Sequence, residues 1–529
     1  MNKLLYNAQI HTLDVVNPHC SAVLILNGRF NDLGKSEDLL AAYPHVPHQD
    51  MEGRVVLPGL MDAHIHLQHY ALGLQKVDCE TDTRAQCLAR VAEKAGNSKP
   101  GEWILGHGWN HNNWAEGYGD AGLLDRVAPM NPVYLTAKSL HAGWANSQAL
   151  SIAGITPAVS DPINGIFIRS ADGSPNGILL ESAMELLENH IPEPTIDSLA
   201  DSLKTAQSEL LKMGLTAVHD FDKISCFSAL QLLHKEHELK LRVMKSIPKE
   251  NLSSAVGIGL RTGFGDDHLW IGPLKLFADG ALGPRTAAMM EPYEGFPENT
   301  GLLSFDEDQV VEIGSMAVQN GITLAIHAIG DRANHEVLNG FSRLREFEKQ
   351  QGLHPGRHRI EHVQLLHPDD LSRLADLNLV ASMQPIHQPS DMVMADKFWG
   401  SRTRYAYAMR TQLEKGAVLA LGSDAPVESP YPFFGIHAAV TRQNADGFPR
   451  ETGWQSQERL SVEDAILGFT QGPAFASGKE DRLGKIRSGY LADLVVLDQD
   501  PFEIHPSGLK DIKPAATMIE GDWVCGIWS

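Results

Sequence analysis

Residues 3–14 alternate, with Leu5, Asn7 and Gln9 set against Tyr6, Ala8 and Ile10. Residues 22–26 are apolar up to the turn pair Asn27-Gly28. A matching set of strand-like runs closes the chain at 492–497 and 516–527, with Gly521-Asp522 as a turn. Between these ends, short β-like runs alternate with helix-like segments. The runs are 55–66, 216–221, 241–247, 273–279, 323–327, 359–363, 380–384 and 418–424. Helical periodicity separates most of them, as at 306–319, where Ser304 is the expected cap, and at 368–377 after His367. Eight strand–helix units predict an α/β fold, a (β/α)8 TIM barrel, with its site at the carboxyl ends of the strands. His64, His66, Asp220, Lys275, Asp279, His327, His362 and Asp424 stand at those ends. A doubly wound open sheet would need a glycine-rich phosphate turn, and none is found.

One interval is anomalous. From His66 to Thr216 there are about 150 residues, far more than a βα unit needs, so a large insertion is expected after the first strand. The terminal strands are expected to pair as one small β-sandwich. The expected boundaries are 1–57 and 481–529 for the sandwich, 58–480 for the barrel, and about 70–212 for the insertion.

Composition narrows the function. Of 529 residues, 43% are hydrophobic and 21% charged, enough for a sizeable core. The net charge of −22 repels phosphate backbones and anionic lipid, so neither nucleic acid nor membrane is an expected partner. No apolar run approaches the roughly 20 residues of a membrane span, and residues 1–14 lack the apolar stretch of a signal peptide. The five cysteines are scattered and never form a CxxC pair, which argues against a disulfide framework and against a thiolate metal cage. A soluble cytoplasmic protein is expected. Histidine is unusually frequent, with 24.

His64 and His66 lie two apart on a strand, so they share a face and can hold one metal from one side or simply line a polar rim. Imidazole suits Zn, Fe, Ni or Cu, and Zn is the default for a hydrolase. His327 and His362 each end an apolar run, 35 residues apart, the length of one βα repeat. Asp424, in Leu421-Gly422-Ser423-Asp424-Ala425-Pro426, is either a carboxylate that touches a metal and takes a proton from water, or a turn or capping residue. Lys275, between Leu274 and Leu276, is costly on a buried strand unless paired or neutral. A neutral lysine can capture CO2 as a carbamate that bridges two metals; the alternative is an ion pair with Asp279.

PGLMDAHIH, GPLKLFADGALGPRTA, IHAIGD, RIEHVQ and LGSDAPV together resemble the amidohydrolase superfamily. Within it they resemble the amidohydrolase family 3 branch, which includes N-substituted formamide deformylases. The resemblance extends to GYLADLVVLD near the carboxyl terminus. In the insertion it extends to Gly108-Trp109-Asn110, to the stretch from His141 to Ser147, and to the stretch from Gly177 to Glu181. It implies that His64 and His66 bind the more buried metal, shared with Asp424. Lys275, if carboxylated, would bridge to a second metal held by His327 and His362; the family uses one or two. Metal-activated hydroxide would attack a carbonyl carbon, and Asp424 would pass the water's proton to the departing nitrogen. His141 is the first candidate to donate to the oxyanion, ahead of Arg285, which has Asp279 and Glu291 as alternative partners. Ala281 and Pro284 stand where serines are commoner in the family.

The aromatic insertion (Trp103, Trp109, Trp114, Tyr118, Trp144) either walls a substrate pocket or builds its own core. Glu181 is expected to recognise substrate or to act as an outer ligand, and the stretch 394–402 to form part of a lid or a surface helix. The expected activity is metal-dependent hydrolysis of a carbon–nitrogen bond in a small amide, formamide or cyclic amide. The alternatives are isomerisation or decarboxylation on the same barrel, and a non-catalytic binding scaffold. A homodimer is the family-level expectation.

Overall fold

The computed structural model describes residues 2–111, 114–139, 141–163 and 165–528, in two compact units, 1–70 with 203–529 and 71–202. In the first unit eight parallel strands run in chain order. They are β1 (Leu60–Ile65), β2 (Leu215–Asp220), β3 (Arg242–Pro248), β4 (Leu269–Phe277), β5 (Leu324–Ala328), β6 (Arg359–His362), β7 (Val380–Met383) and β8 (Val418–Leu421). Helices cover the outer strand face and the barrel's own interior buries the inner one, which is why the strands read as near-continuous apolar runs. Beyond β8 the chain bridges back to β1. The Asp424 N–H donates to the His64 carbonyl at 2.7 Å, and the His66 N–H to the Ala425 carbonyl at 2.8 Å. The result is a nearly closed TIM-like barrel. Gly422 permits this approach, because a Cβ there would lie 2.5 Å from Asp62 Oδ1 and 2.6 Å from the His64 nitrogen.

The expected run 55–66 is two strands, Val55–Pro58 and β1. The break falls at Gly59, where a Cβ would meet Thr216 Oγ1 at 2.3 Å. Val55–Pro58 leaves the barrel and pairs antiparallel with Leu494–Leu497 and parallel with Gln9–His11. Strands from the two ends of the chain thus share one six-stranded sheet. A four-stranded sheet of Lys3–Tyr6, Ala22–Leu26, Arg29–Gly34 and His48–Asp50 contributes to the same apolar core, which includes Leu5, Val23, Phe30, Val56, Leu494 and Met518.

Two helices differ from expectation. Glu307–Gln319 is capped by Asp306, not Ser304: the Asp306 carboxylate accepts the Gln309 N–H while the Gln309 side chain reaches back to the Asp306 N–H. The segment 368–377 divides into a 3-10 turn, Pro368–Asp370, and the single turn Arg373–Asp376. In the second unit, a six-stranded sheet carries a core in which Trp109, Trp114 and Trp144 are at most 3% exposed.

A buried ion cluster ties the helix Asp331–Gln350 to the lead-in of β6. Glu348 accepts from Arg345 Nη1 at 2.7 Å, from the Gly356 N–H at 3.0 Å and from His358 Nε2 at 3.1 Å. The His358 Nδ1 accepts the Leu324 N–H, so its Nε2 carries the proton. Burial works against the Glu348 anion, yet these donors bring its pKa from an ordinary 4.5 down to about 2. A depressed carboxylate stabilises the fold fully above its unfolded pKa and loses that contribution as pH falls through its folded one, here about 3 kcal/mol in all. Melting temperature is therefore expected to drop as pH falls from about 5 towards 2. In thermal scans, Glu348→Gln should flatten that limb while lowering the melting point at neutral pH.

Candidate metal centre

The first strand ends in two imidazoles whose rings are held by their Nδ1 atoms. His64 Nδ1 contacts Glu361 Oε2 at 2.6 Å, His66 Nδ1 contacts Asp222 Oδ1 at 3.1 Å, and at the end of β6 His362 Nδ1 contacts Gln384 Oε1 at 2.8 Å. These oxygens can only accept, so each ring donates from Nδ1 and presents its lone pair on Nε2, the ligating form. Asp424 Oδ1 lies 3.6 Å from His64 Nε2 and 3.4 Å from His66 Nε2. Asp424 has φ 61°, and the seam bond to the His64 carbonyl holds its backbone beside β1. His64 Nε2 and Asp424 Oδ1 are buried with no hydrogen-bond partner. Orphaned acceptors of this kind are costly unless something electropositive joins them.

Of four candidate ligand clusters among the described residues, two share Asp424: His64, His66 and Asp424, and His362, His387 and Asp424. Within each, the ligand atoms lie within 4.8 Å of one another. Imidazole nitrogens with a carboxylate oxygen fit a divalent transition metal.

The electrostatics agree with that use. Burial, reinforced by nearby Lys275, pushes the His64 pKa down to about 4, and burial with His327 alongside puts His362 well below the usual range. Both rings are neutral at pH 7. Burial alone would raise Asp424 and Glu361. His387 beside it instead holds Asp424 well below the ordinary carboxylate range, and Arg359 with His64 does the same for Glu361. Ligands must be deprotonated to bind, and these are.

His327 lies against His362, ring centroids 4.6 Å apart. Its Nε2 faces the Gly280 carbonyl at 3.0 Å, which leaves Nδ1 as its available nitrogen. The Lys275 ammonium lies 4.6 Å above the Phe221 ring, the same ring that stacks on His64 at 4.2 Å, and burial lowers its pKa to about 8. The alternative ion pair with Asp279 does not form among the described residues. Asp279 instead accepts the N–H groups of Ala288, Ile329 and Gly330 at 2.8 to 3.0 Å, so both its oxygens staple loops. Arg285 packs over Phe296 and Phe398, at 4.3 and 5.1 Å. In the 71–202 unit, Trp109, His141 and Glu181 line one cavity of about 860 Å³, with His141 Nδ1 3.0 Å from Glu181 Oε2. Trp109 is also core, its indole N–H donating to the Leu135 carbonyl at 2.8 Å. The stretch 394–402 belongs to the helix His387–Trp399 and the turn Gly400–Tyr405, with Phe398 and Trp399 buried.

Sequence reasoning missed Glu361, Asp222, Gln384 and His387. A signal existed for Glu361: Arg359 and Glu361 flank Ile360 on an otherwise apolar run, and opposite charges two apart on a buried strand must pair inside the barrel. For His387 there was no local periodic signal.

An eight-stranded barrel with this His–Asp cluster at the strand ends defines a metal-centred barrel enzyme. Comparison with known proteins agrees. A family model described as "Amidohydrolase family" matches residues 48–525. The putative amidohydrolase YtcJ of Bacillus subtilis is 30% identical, over 99% of each chain. The N-substituted formamide deformylase of Arthrobacter pascens is 28% identical, over 98% of this chain and 97% of its own. The crystal structure of an uncharacterized metal-dependent hydrolase from Pyrococcus furiosus superposes with a TM-score of 0.79 at 28% identity, covering 95% of this chain and all of that one.

The chain belongs to the amidohydrolase family, in its family 3 branch. It is accordingly a hydrolase of carbon–nitrogen bonds other than peptide bonds, with a small-molecule substrate and a divalent-metal site. Among the described residues no helix is long and apolar enough to cross a membrane.

Glu361 orients His64, a candidate ligand, through its Nδ1. Glu361→Gln is expected to weaken metal affinity by about 10- to 100-fold, read by titration of the apoprotein against a competing chelator.

Proposed function

We propose that the protein is a zinc-dependent hydrolase of a small N-acyl, N-substituted formamide or cyclic amide substrate. One observation carries this reading: neutral His64 and ionised Asp424, both buried, turn unpartnered atoms towards one point at the barrel's carboxyl end. The formamide class is supported by the full-length similarity to a formamide deformylase. The barrel carries the chemistry in this reading, the two terminal sheets form a β-sandwich beside it, and the 71–202 unit is an insertion that recognises substrate.

His64, His66 and Asp424 would hold the first ion. Lys275, as a CO2-derived carbamate, would bridge to a second held by His327 and His362. The lowered Lys275 pKa supports this, because only the neutral amine captures CO2. Bound there, zinc supplies Lewis acidity to the substrate carbonyl and to water. Asp424, held ionised and beside both β1 histidines, accepts a proton from the attacking water and returns it to the departing nitrogen. The tetrahedral oxyanion needs a donor, and His141 is the residue assigned to it, with Arg285 second. Trp109, Glu181 and His141 line one cavity within the 71–202 unit and are the candidates there for substrate contact.

Asp424→Asn should lower turnover by about 10²- to 10⁴-fold, measured as amine release from a panel of N-substituted formamides. Near-normal turnover would remove Asp424 from proton transfer. Zinc reconstitution of the apoprotein is expected to reach two equivalents only with bicarbonate present, and Lys275→Ala to stop at one. Two equivalents without bicarbonate would eliminate the carbamate.

A further inference from the structure

Asp424 has two oxygens in different surroundings. Oδ1 faces His64 and His66, whereas Oδ2 lies 3.3 Å from His387 Nε2. His387 is 7% exposed, and its Nε2 has no hydrogen-bond partner, so the ion-pair contact with Asp424 Oδ2 is the interaction it makes at that atom. A carboxylate rotates about its last torsion in a broad two-fold well, so nothing intrinsic tells one oxygen from the other. A group that both faces the ion and handles a proton needs them kept apart.

We propose that His387 is a positioning residue: it holds Asp424 Oδ2 and so commits Oδ1 to the metal side of the carboxylate.

The turn after β7 is built for this. It carries Gln384, whose side-chain oxygen accepts from His362 Nδ1, and three residues on His387, whose N–H donates to the Gln384 carbonyl at 3.2 Å. One turn thus orients two site groups at once. His387 opens the helix His387–Trp399, and one turn later Asp391 accepts the Tyr407 hydroxyl at 2.5 Å. The Tyr407 carbonyl accepts from buried Arg442 at 3.1 Å, and its N–H donates to the Gln364 carbonyl at 2.7 Å. The helix start is therefore fixed from two directions. Around the imidazole stand Asp424 and Glu428 from the loop after β8, Asp391 from its own helix, and the His362 ring at 6.2 Å.

The inference rests on the amide-hydrolase reading for its activity arm only. The other arm is zinc binding by full-length apoprotein, measured by competition with a chromophoric chelator. His387→Phe keeps a ring in the site but no donor, and should bind the same number of zinc equivalents about tenfold more weakly. His387→Gln, which restores an N–H donor, should recover most of that loss. His387→Ala replaces the Phe variant should that one fail to fold. Unchanged affinity in the donor-less variant, or failure of Gln to rescue it, would overturn the proposal. So would loss of a whole zinc equivalent, which would make His387 a ligand. With amide substrate, kcat should fall in the donor-less variant while KM stays near wild type, and a rise in KM alone would also count against it. Wild-type protein that hydrolyses no amide would sink the function reading while the zinc arm still tests His387.

Discussion

Closure of the barrel at the meeting of β1 and β8 is the constraint on which the site depends. Asp62, buried on β1, accepts the N–H groups of Ser423 and His64 at 3.0 and 2.9 Å, and the Ser423 hydroxyl at 2.5 Å. Burial pushes its pKa up to about 7 despite these donors. The seam bonds between the His64 carbonyl and Asp424, and between His66 and Ala425, follow immediately. The backbone groups that close the sheet therefore belong to the residues that bring two imidazoles and a carboxylate together. A barrel left open at this point would separate them.

Behind the seam lies a polar interior that a plain hydrophobic core could not replace. Arg359 donates to both Glu361 oxygens at 2.5 and 3.0 Å, to the Ala63 carbonyl at 2.7 Å, to Ser382 Oγ at 2.5 Å and to His219 Nδ1 at 2.9 Å. Fully buried charges persist only when paired and fully bonded, and this set is. Its far end is His64, which Glu361 holds through Nδ1. Packing inside the barrel thus sets the tautomer of a side chain at its mouth. Asp222 and Gln384 do the same for His66 and His362 from the ends of β2 and β7.

Much of this was legible in the order of residues. All eight barrel runs are strands, because a strand buried on both faces must be apolar, and helical periodicity separates them. The four barrel histidines and Asp424 were visible as polar residues at strand ends, where a parallel barrel has nothing apolar to bury. The misreadings have local causes. The run 55–66 looked continuous because hydrophobicity does not register the turn at Gly59, where Thr216 leaves no room for a Cβ. Ser304 looked like a cap because its residue type suits one, but the reciprocal Asp306–Gln309 pair satisfies two donors at once.

The amino-acid sequence by itself determined the alternation of strands and helices, the residue types available at the barrel's mouth, and the family to which they belong. Those depend on periodicity and side-chain chemistry, both written locally. Only the tertiary structure decided which nitrogen of each ring is presented, because that depends on acceptors up to about 300 residues away, as with His64 and Glu361. It likewise brought His387 to the second oxygen of Asp424, a contact between two turns with no shared pattern in the chain.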